Sequence, residues 1–424
     1  MDLIRRPCMA KRISSVLLLL ILFTIPSFAA TLPLSTKKYE RSAGKPDVFK
    51  ETFPVCNTDA TYNLVIQNGE SGKSMASSAS IIINGIELIK ESEFNQKIDR
   101  IEKEITLIPE NTLEVKLESI PESFITVAIQ CIANCLDVDI STPTNGSTIN
   151  KQKTTVKGSL YNAYGETGVM VGNTVSEGSA RFSAYREGSE FAGLVPLAPG
   201  ENNLTVIATD ACGQKAEDTI IVNAVPTAEQ MRLSVNPSSG VMSSQAETLD
   251  VKFEADVYGT ALNYAWDFNG DGTVDKSGVD MSSVTFGYSQ SGLYFPVVTV
   301  TDSNGNSYAE TAVVNVMSKE EMDGILKGKW DGMKEGLASG DIEKALRYFH
   351  EGSKEKYREA FGVLGGDLPS IAAGMQDMTF LYARGNTAKG RVLRHQVIDG
   401  QTMTITYYTY FYLDEDGIWR IESF

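Results

Sequence analysis

The sequence predicts a multidomain fold: three all-β sandwiches in tandem, followed by an α+β unit. Two observations predict it. From residue 48 to 317, short runs of alternating apolar and polar residues are broken about every eight to twelve residues by Asn-, Asp- and Gly-rich turns. From Lys319 the apolar residues change to helical spacing, and alternation returns near Thr379.

The chain opens with an export signal. Arg5, Arg6, Lys11 and Arg12 precede an apolar run from Val16 to Ile25, and Pro26-Ser27-Phe28-Ala29 offers small residues for cleavage after Ala29. Residues 1–29 are therefore expected to be a signal peptide, with Met1 or Met9 as the start. The apolar run is too short for an ordinary membrane span, and no longer one follows, so no transmembrane anchor is expected. Residues 30–47 are polar, with Pro33, Lys37, Lys38 and Gly44, and are expected to form a disordered leader.

The chain of 424 residues carries a formal charge of −16. The leader holds more basic than acidic residues, so its removal makes the remainder more acidic. A surface of this sign repels nucleic acid, which is excluded as a partner.

Residues 48–133 read as the first sandwich. Tyr62, Leu64 and Ile66 alternate before Asn68-Gly69. Ile81-Ile82-Ile83 runs into Asn84-Gly85, and Leu113, Val115 and Leu117 alternate after Asn111. Segment 90–104 is charged and fits a short helix or a long loop. Residues 136–226 repeat the plan. Val169 and Val171 precede Gly172-Asn173, and Leu204, Val206 and Ala208 follow Asn202-Asn203, which makes a weak internal repeat. The segments Ser141-Thr142-Pro143-Thr144-Asn145-Gly146-Ser147 and Asn203–Asp210 resemble bacterial Ig-like domains.

Residues 227–317 form the third unit. Tyr264-Ala265-Trp266-Asp267-Phe268 is a strand that enters the turn Asn269-Gly270-Asp271-Gly272. Gly292–Asp302 carries a second strand, which Ser303-Asn304-Gly305-Asn306 ends. This pair resembles the polycystic kidney disease (PKD) domain, an Ig-like sandwich of secreted and surface proteins. The resemblance implies a spacer or binder rather than a catalyst.

In 319–424, Met322, Leu326, Trp330, Met333 and Leu337 mark a helix that Ser339-Gly340-Asp341 ends. A second helix runs toward Phe349, a third holds Tyr357, Phe361 and Leu364, and Pro369 suits the first turn of a fourth. Strands are expected at Thr379–Tyr382, Lys389–Val397, Met403–Leu413 and Trp419–Phe424. The run Ala338–Leu346 and the ending Gly417–Phe424 resemble the NTF2-like superfamily, which implies a cone-shaped α+β domain, often with an apolar pocket. Tyr382, His395, Tyr408 and Tyr410 are the candidate pocket residues, and Asp377 is a further acid to place. The alternative is that the run Tyr407–Tyr412 packs one face on the helices and exposes the other, as a protein or glycan contact surface.

Two further sites are candidates. Asp267, Asn269, Asp271, Thr273 and Asp275 alternate along a Gly-containing loop, the spacing with which oxygen ligands hold Ca²⁺. The twelfth position is Gly278 where a bidentate Glu would complete the loop, and turn chemistry alone explains the same residues. Four cysteines follow the leader: Cys56, Cys131, Cys135 and Cys212. An even number in an exported chain favours disulfides. The hairpin tip holding Cys212 is expected to face the start of its own unit, which gives Cys56–Cys131 and Cys135–Cys212. No histidine lies near them, so zinc is not expected.

No catalytic motif accompanies the two histidines, His350 and His395. The sequence therefore predicts an exported, non-enzymatic binding, adhesion or scaffold protein with no required cofactor, acting on a cell-surface protein or glycan. The alternative is a small-molecule-binding or catalytic C-terminal domain on a β-sandwich stalk.

Overall fold

A computed structural model describes residues 34–174, 181–227, 230–242, 247–398 and 401–424. The signal-peptide segment lies outside the described residues. Among those described, no helix is long and apolar enough to cross a membrane.

The first sandwich packs two four-stranded sheets over a core that includes Tyr62, Leu64, Ile66, Ile81, Val115 and Val127. It starts earlier than expected. Leu34–Glu40 is a strand paired with Phe124–Ala133, so residues 34–47 are not a disordered leader. The strand is polar because it lies at the sheet edge. Its backbone supplies the pairing, and among its described side chains Tyr39 reaches deepest into the core. Segment 90–104 resolves into one short 3₁₀ turn, Glu91–Glu93, and a strand, Arg100–Ile105.

The second sandwich packs a five-stranded sheet on a four-stranded one. Its kinship to the first is visible in one polar clamp. In the first unit Asn84 donates to Asn111 Oδ1 at 2.9 Å, and Asn111 Oδ1 also accepts from the Ile108 N–H. In the second, Asn173 donates to Asn202 Oδ1 at 2.7 Å, which also accepts from the Ala198 N–H. Asn111 and Asn202 are fully buried, and each satisfies a loop whose backbone lacks a strand partner. These are the positions that carry the sequence repeat.

In the third sandwich Trp266, Phe268 and Phe253 cluster at the centre, and the Trp266 indole N–H donates to the Met281 carbonyl at 2.9 Å. Buried aromatic rings of this size dominate the stability of a small sandwich.

The C-terminal unit comprises α1 (Lys319–Ala338), α2 (Ile342–Leu346), α3 (Glu351–Leu364) and α4 (Leu368–Ala373), then an antiparallel sheet. Its strands are Met378–Arg384, Thr387–Ile398, Gln401–Leu413 and Trp419–Ser423. Ser318 caps α1 by accepting from the Glu321 N–H, and Asp341 caps α2 by accepting from the Lys344 N–H. The second helix is shorter than expected and ends before Phe349, whose backbone bridges to Ile421. Met322, Leu326, Trp330 and Met333 of α1 pack on Phe380, Phe411 and Ile421 of the sheet.

The units interlock instead of following one another as separate beads. Ser318 alone separates the last strand of the third sandwich, Val314–Met317, from α1. Strand Ser239–Val241 pairs with Val314–Met317 on one side and bridges to Met378–Arg384 on the other, at Gly240 opposite Arg384. One seven-stranded sheet therefore runs through both units. The joint is sealed by the Gly385 N–H on the Ser239 carbonyl at 2.9 Å. Gly240 lets the strands approach closely there: a Cβ would lie 2.9 Å from Leu249 Cδ1 and 3.3 Å from the Ala383 carbonyl oxygen, so the Leu249 side chain would have to shift. The second sandwich is fixed to the C-terminal unit by the Glu166–Lys329 ion pair, whose side chains are each 10% exposed, and by the Trp419 N–H donating to Glu166 at 2.7 Å.

Candidate functional site

The tyrosine-rich strand decides where ligands can reach the C-terminal unit. Alternate residues of a strand point to opposite faces. Thr409 and Phe411 face the helices and are fully buried, whereas Tyr408 and Tyr410 face outward, 44% and 39% exposed. Strand pairing extends this outer face. Tyr382, Lys389 and Tyr410 form one cross-strand row, and Thr379, Arg391 and Tyr408 form the next. Lys389 Nζ lies 3.8 Å from the Tyr408 ring centroid and 5.1 Å from that of Tyr410, so the cation fixes both rings.

His395, four residues beyond Arg391, pairs with Thr404 and shares this face, with Nδ1 3.0 Å from Thr404 Oγ1. The four candidate pocket residues, Tyr382, His395, Tyr408 and Tyr410, are thus brought onto one surface, but that surface is open. Their strand positions have the outward parity, so none of them lines the helix side, and of the four Tyr382 alone borders the groove on the outer side. Asp377 is also outside, paired with Lys334 at 3.1 Å.

Two concavities flank the sheet. On the helix side a cleft of about 520 Å³ is lined by Trp330, Ile371, Met375, Arg394, Tyr407 and Thr409. Thr409 Oγ1 is buried there without a hydrogen-bond partner. On the outer side a groove of about 1020 Å³ runs along the joint between the third sandwich and the C-terminal sheet. Val241, Leu249 and Asp250 form one wall, and Tyr382, Arg384 and Arg391 the other, with Lys319 at the side. Sequence reasoning missed this groove, since Leu249 and Arg391 are brought together only by the bridge at Gly240.

The Asp267 loop is a self-satisfied turn. Asp267 accepts from the Gly270 and Gly272 N–H groups at 2.7 and 2.8 Å, and Asp275 accepts from the Phe268 N–H at 2.7 Å. Asp271 accepts from the Thr273 N–H and the Asn269 amide, which together hold its carboxyl below the usual range. The three carboxylates do not converge on a common point; among the described residues the sole close trio of metal-ligating side chains is Cys56, Asp210 and Cys212.

Two of that trio are covalently joined. The disulfides are Cys56–Cys212 and Cys131–Cys135, which corrects the expected Cys56–Cys131 and Cys135–Cys212. The Cys212 hairpin tip faces the first sandwich rather than the start of its own unit. Cys135, four residues past Cys131, is turned back onto it. Beside the inter-unit bridge, Asp210 accepts from the Cys212 and Gln214 N–H groups at 2.9 and 2.8 Å. Burial raises its carboxyl to about 6 against the opposing pull of these N–H groups.

The PKD domain family matches residues 228–317. No curated protein matches this chain. Among solved structures, the PKD1 domain of the Vibrio cholerae metalloprotease PrtV is 24% identical, covering 20% of this chain and 93% of that one, with a TM-score of 0.16. The fibronectin(III)-like modules of Clostridium thermocellum CbhA are 15% identical over 43% of this chain and 95% of theirs, TM-score 0.18. A bacterial ice-binding adhesin, described for host cell surface retention, is 13% identical over 68% and 85%, TM-score 0.18. The chain is a modular β-sandwich protein whose third sandwich is similar to the PKD domain.

Proposed function

We propose that this is an exported, non-enzymatic binding protein, acting in adhesion or as a scaffold, in which interlocked β-sandwiches hold the outer face of the C-terminal sheet toward a cell-surface protein or glycan. The observation that carries this is the open row of Tyr382, Tyr408 and Tyr410 with Lys389 between them. Exposed aromatic rings held rigid on a sheet lose little entropy on binding and make strong anchors. The two disulfides fit an oxidising compartment.

The test is retention of the full chain on a glycan array and on cells. Tyr408→Ala with Tyr410→Ala should weaken retention about tenfold or more. Undiminished retention, or turnover of a substrate by the purified chain, would end this reading.

A second reading, a ligand-binding or catalytic NTF2-like domain, is favoured by one observation: Thr409 Oγ1, buried and unpartnered at the wall of the helix-side cleft. Helices followed by an antiparallel sheet support the cone-shaped assignment. A small-molecule thermal-shift screen in which hits vanish in Thr409→Val would support it.

A further inference from the structure

We infer that the outer groove and the tyrosine face beside it bind an anionic polysaccharide, one whose sugar rings stack on the tyrosines and whose carboxylates meet Arg384 and Arg391. This rests on the reading of the outer face as the binding surface, and it names the ligand class.

Charge favours an anion. In a chain of net charge −16, the groove and the face beside it carry Arg384, Lys389, Arg391 and Lys319 against one acid in the groove wall, Asp250. Elsewhere in the C-terminal unit arginines are neutralised: Arg358 meets Glu343 and Glu355, and Arg420 meets Asp414 and Asp416. By contrast, the Arg384 and Arg391 guanidinium groups and the Lys319 ammonium, all lining the groove, make no ion pair or hydrogen bond with any described residue.

Burial favours an anion too. Arg391 Nε is shielded from solvent and has no acceptor. A buried unpaired donor is costly, and an anion entering the groove removes that cost. Guanidinium groups bind carboxylates in a paired fork, which suits uronate sugars.

Adjacent strands lie about 4.8 Å apart and alternate residues along a strand about 6.7 Å apart, so ring and cation alternate across the outer face. Such a surface matches a chain of sugar rings with apolar faces and regularly spaced charge. Long-range repulsion from the acidic chain acts on any polyanion, so the polysaccharide is favoured over a polyphosphate strand by the apolar sugar faces it offers to the tyrosines. The site is composite: without the Gly240–Arg384 bridge the wall of Val241, Leu249 and Asp250 would be absent.

The experiment measures binding of the full chain to polygalacturonate, its fully methyl-esterified form, poly-glutamate and single-stranded polyuridylate. Polygalacturonate should bind, and esterification should weaken it at least about tenfold by removing the charge-assisted contacts. Arg384→Gln and Arg391→Gln should each weaken polygalacturonate about tenfold, with unchanged melting temperature for the exposed Arg384 variant. Equal binding of both pectin forms that is still lost in Tyr408→Ala would overturn the anionic inference while keeping the surface reading. Tighter binding of poly-glutamate or polyuridylate would overturn the ligand class. No binding to polygalacturonate at low salt would overturn the inference outright, and the glycan array then tests the surface reading separately.

Discussion

Replacing both Cys56 and Cys212 with alanine opens a cross-link that spans 156 residues and ties the first sandwich to the second. Constraint of the unfolded chain by a loop of that length is worth about 5 kcal/mol, against about 2 kcal/mol for the loop closed by Cys131 and Cys135, whose separation is 4. The larger figure applies only if the two sandwiches unfold together, since a loop that is still half folded gains little freedom. The assay is urea unfolding followed by far-ultraviolet circular dichroism, because Trp266, Trp330 and Trp419 all lie outside the first two sandwiches. The Cys56/Cys212 variant should lose more stability than the Cys131/Cys135 variant by about 3 kcal/mol, in one transition. Equal losses, or a new separate transition for the first sandwich in the unaltered protein, would refute the view that the bridge joins one cooperative unit.

Three further outcomes are expected. The folded carboxyl of Asp210 titrates near 6 against 3.8 for the free group, so the folded state holds more protons between these values and stability falls as pH rises through that window. Asp210→Asn should abolish this fall and leave the protein more stable at pH 7 by up to about 3 kcal/mol, as read from melts at pH 4 and 7. Lys329→Met strands the buried Glu166 carboxylate and should cost about 3 kcal/mol, most of it recovered when Glu166→Gln is added, which a double-mutant cycle measures. Asp267→Ala frees two backbone N–H groups and should destabilise the third sandwich by about 2 kcal/mol in thermal melts. Because Ca²⁺ must displace those same bonds, calorimetry should give a Kd no tighter than about 10⁻⁴ M, and a submicromolar value would refute the turn-clamp role.

Much of the architecture was legible because its causes are local. Alternation and turn residues mark the strands around Trp266, and the change to helical spacing at Met322 marks the last unit. The Asn111 and Asn202 positions were visible as a repeat, though only the fold shows that both are clamps. What was missed depends on neighbours far away in sequence. Strand Leu34–Glu40 is held by backbone pairing, to which its polar composition is silent. Cysteine pairing turns on how two sandwiches meet, and no spacing rule reports that. The tyrosines were found, but the side they occupy follows from strand parity, where a shift of one residue exchanges inside for outside.

The shared seven-stranded sheet has a mechanical consequence. With Ser318 alone between the third sandwich and α1, and with backbone bonds bridging Ser239 to Gly385, there is no swivel at this joint. Tension on anything gripped by the tyrosine face is transmitted through strand-to-strand shear into the neighbouring sandwich, so the last unit acts as a fixed cleat on a mast rather than a weight on a string.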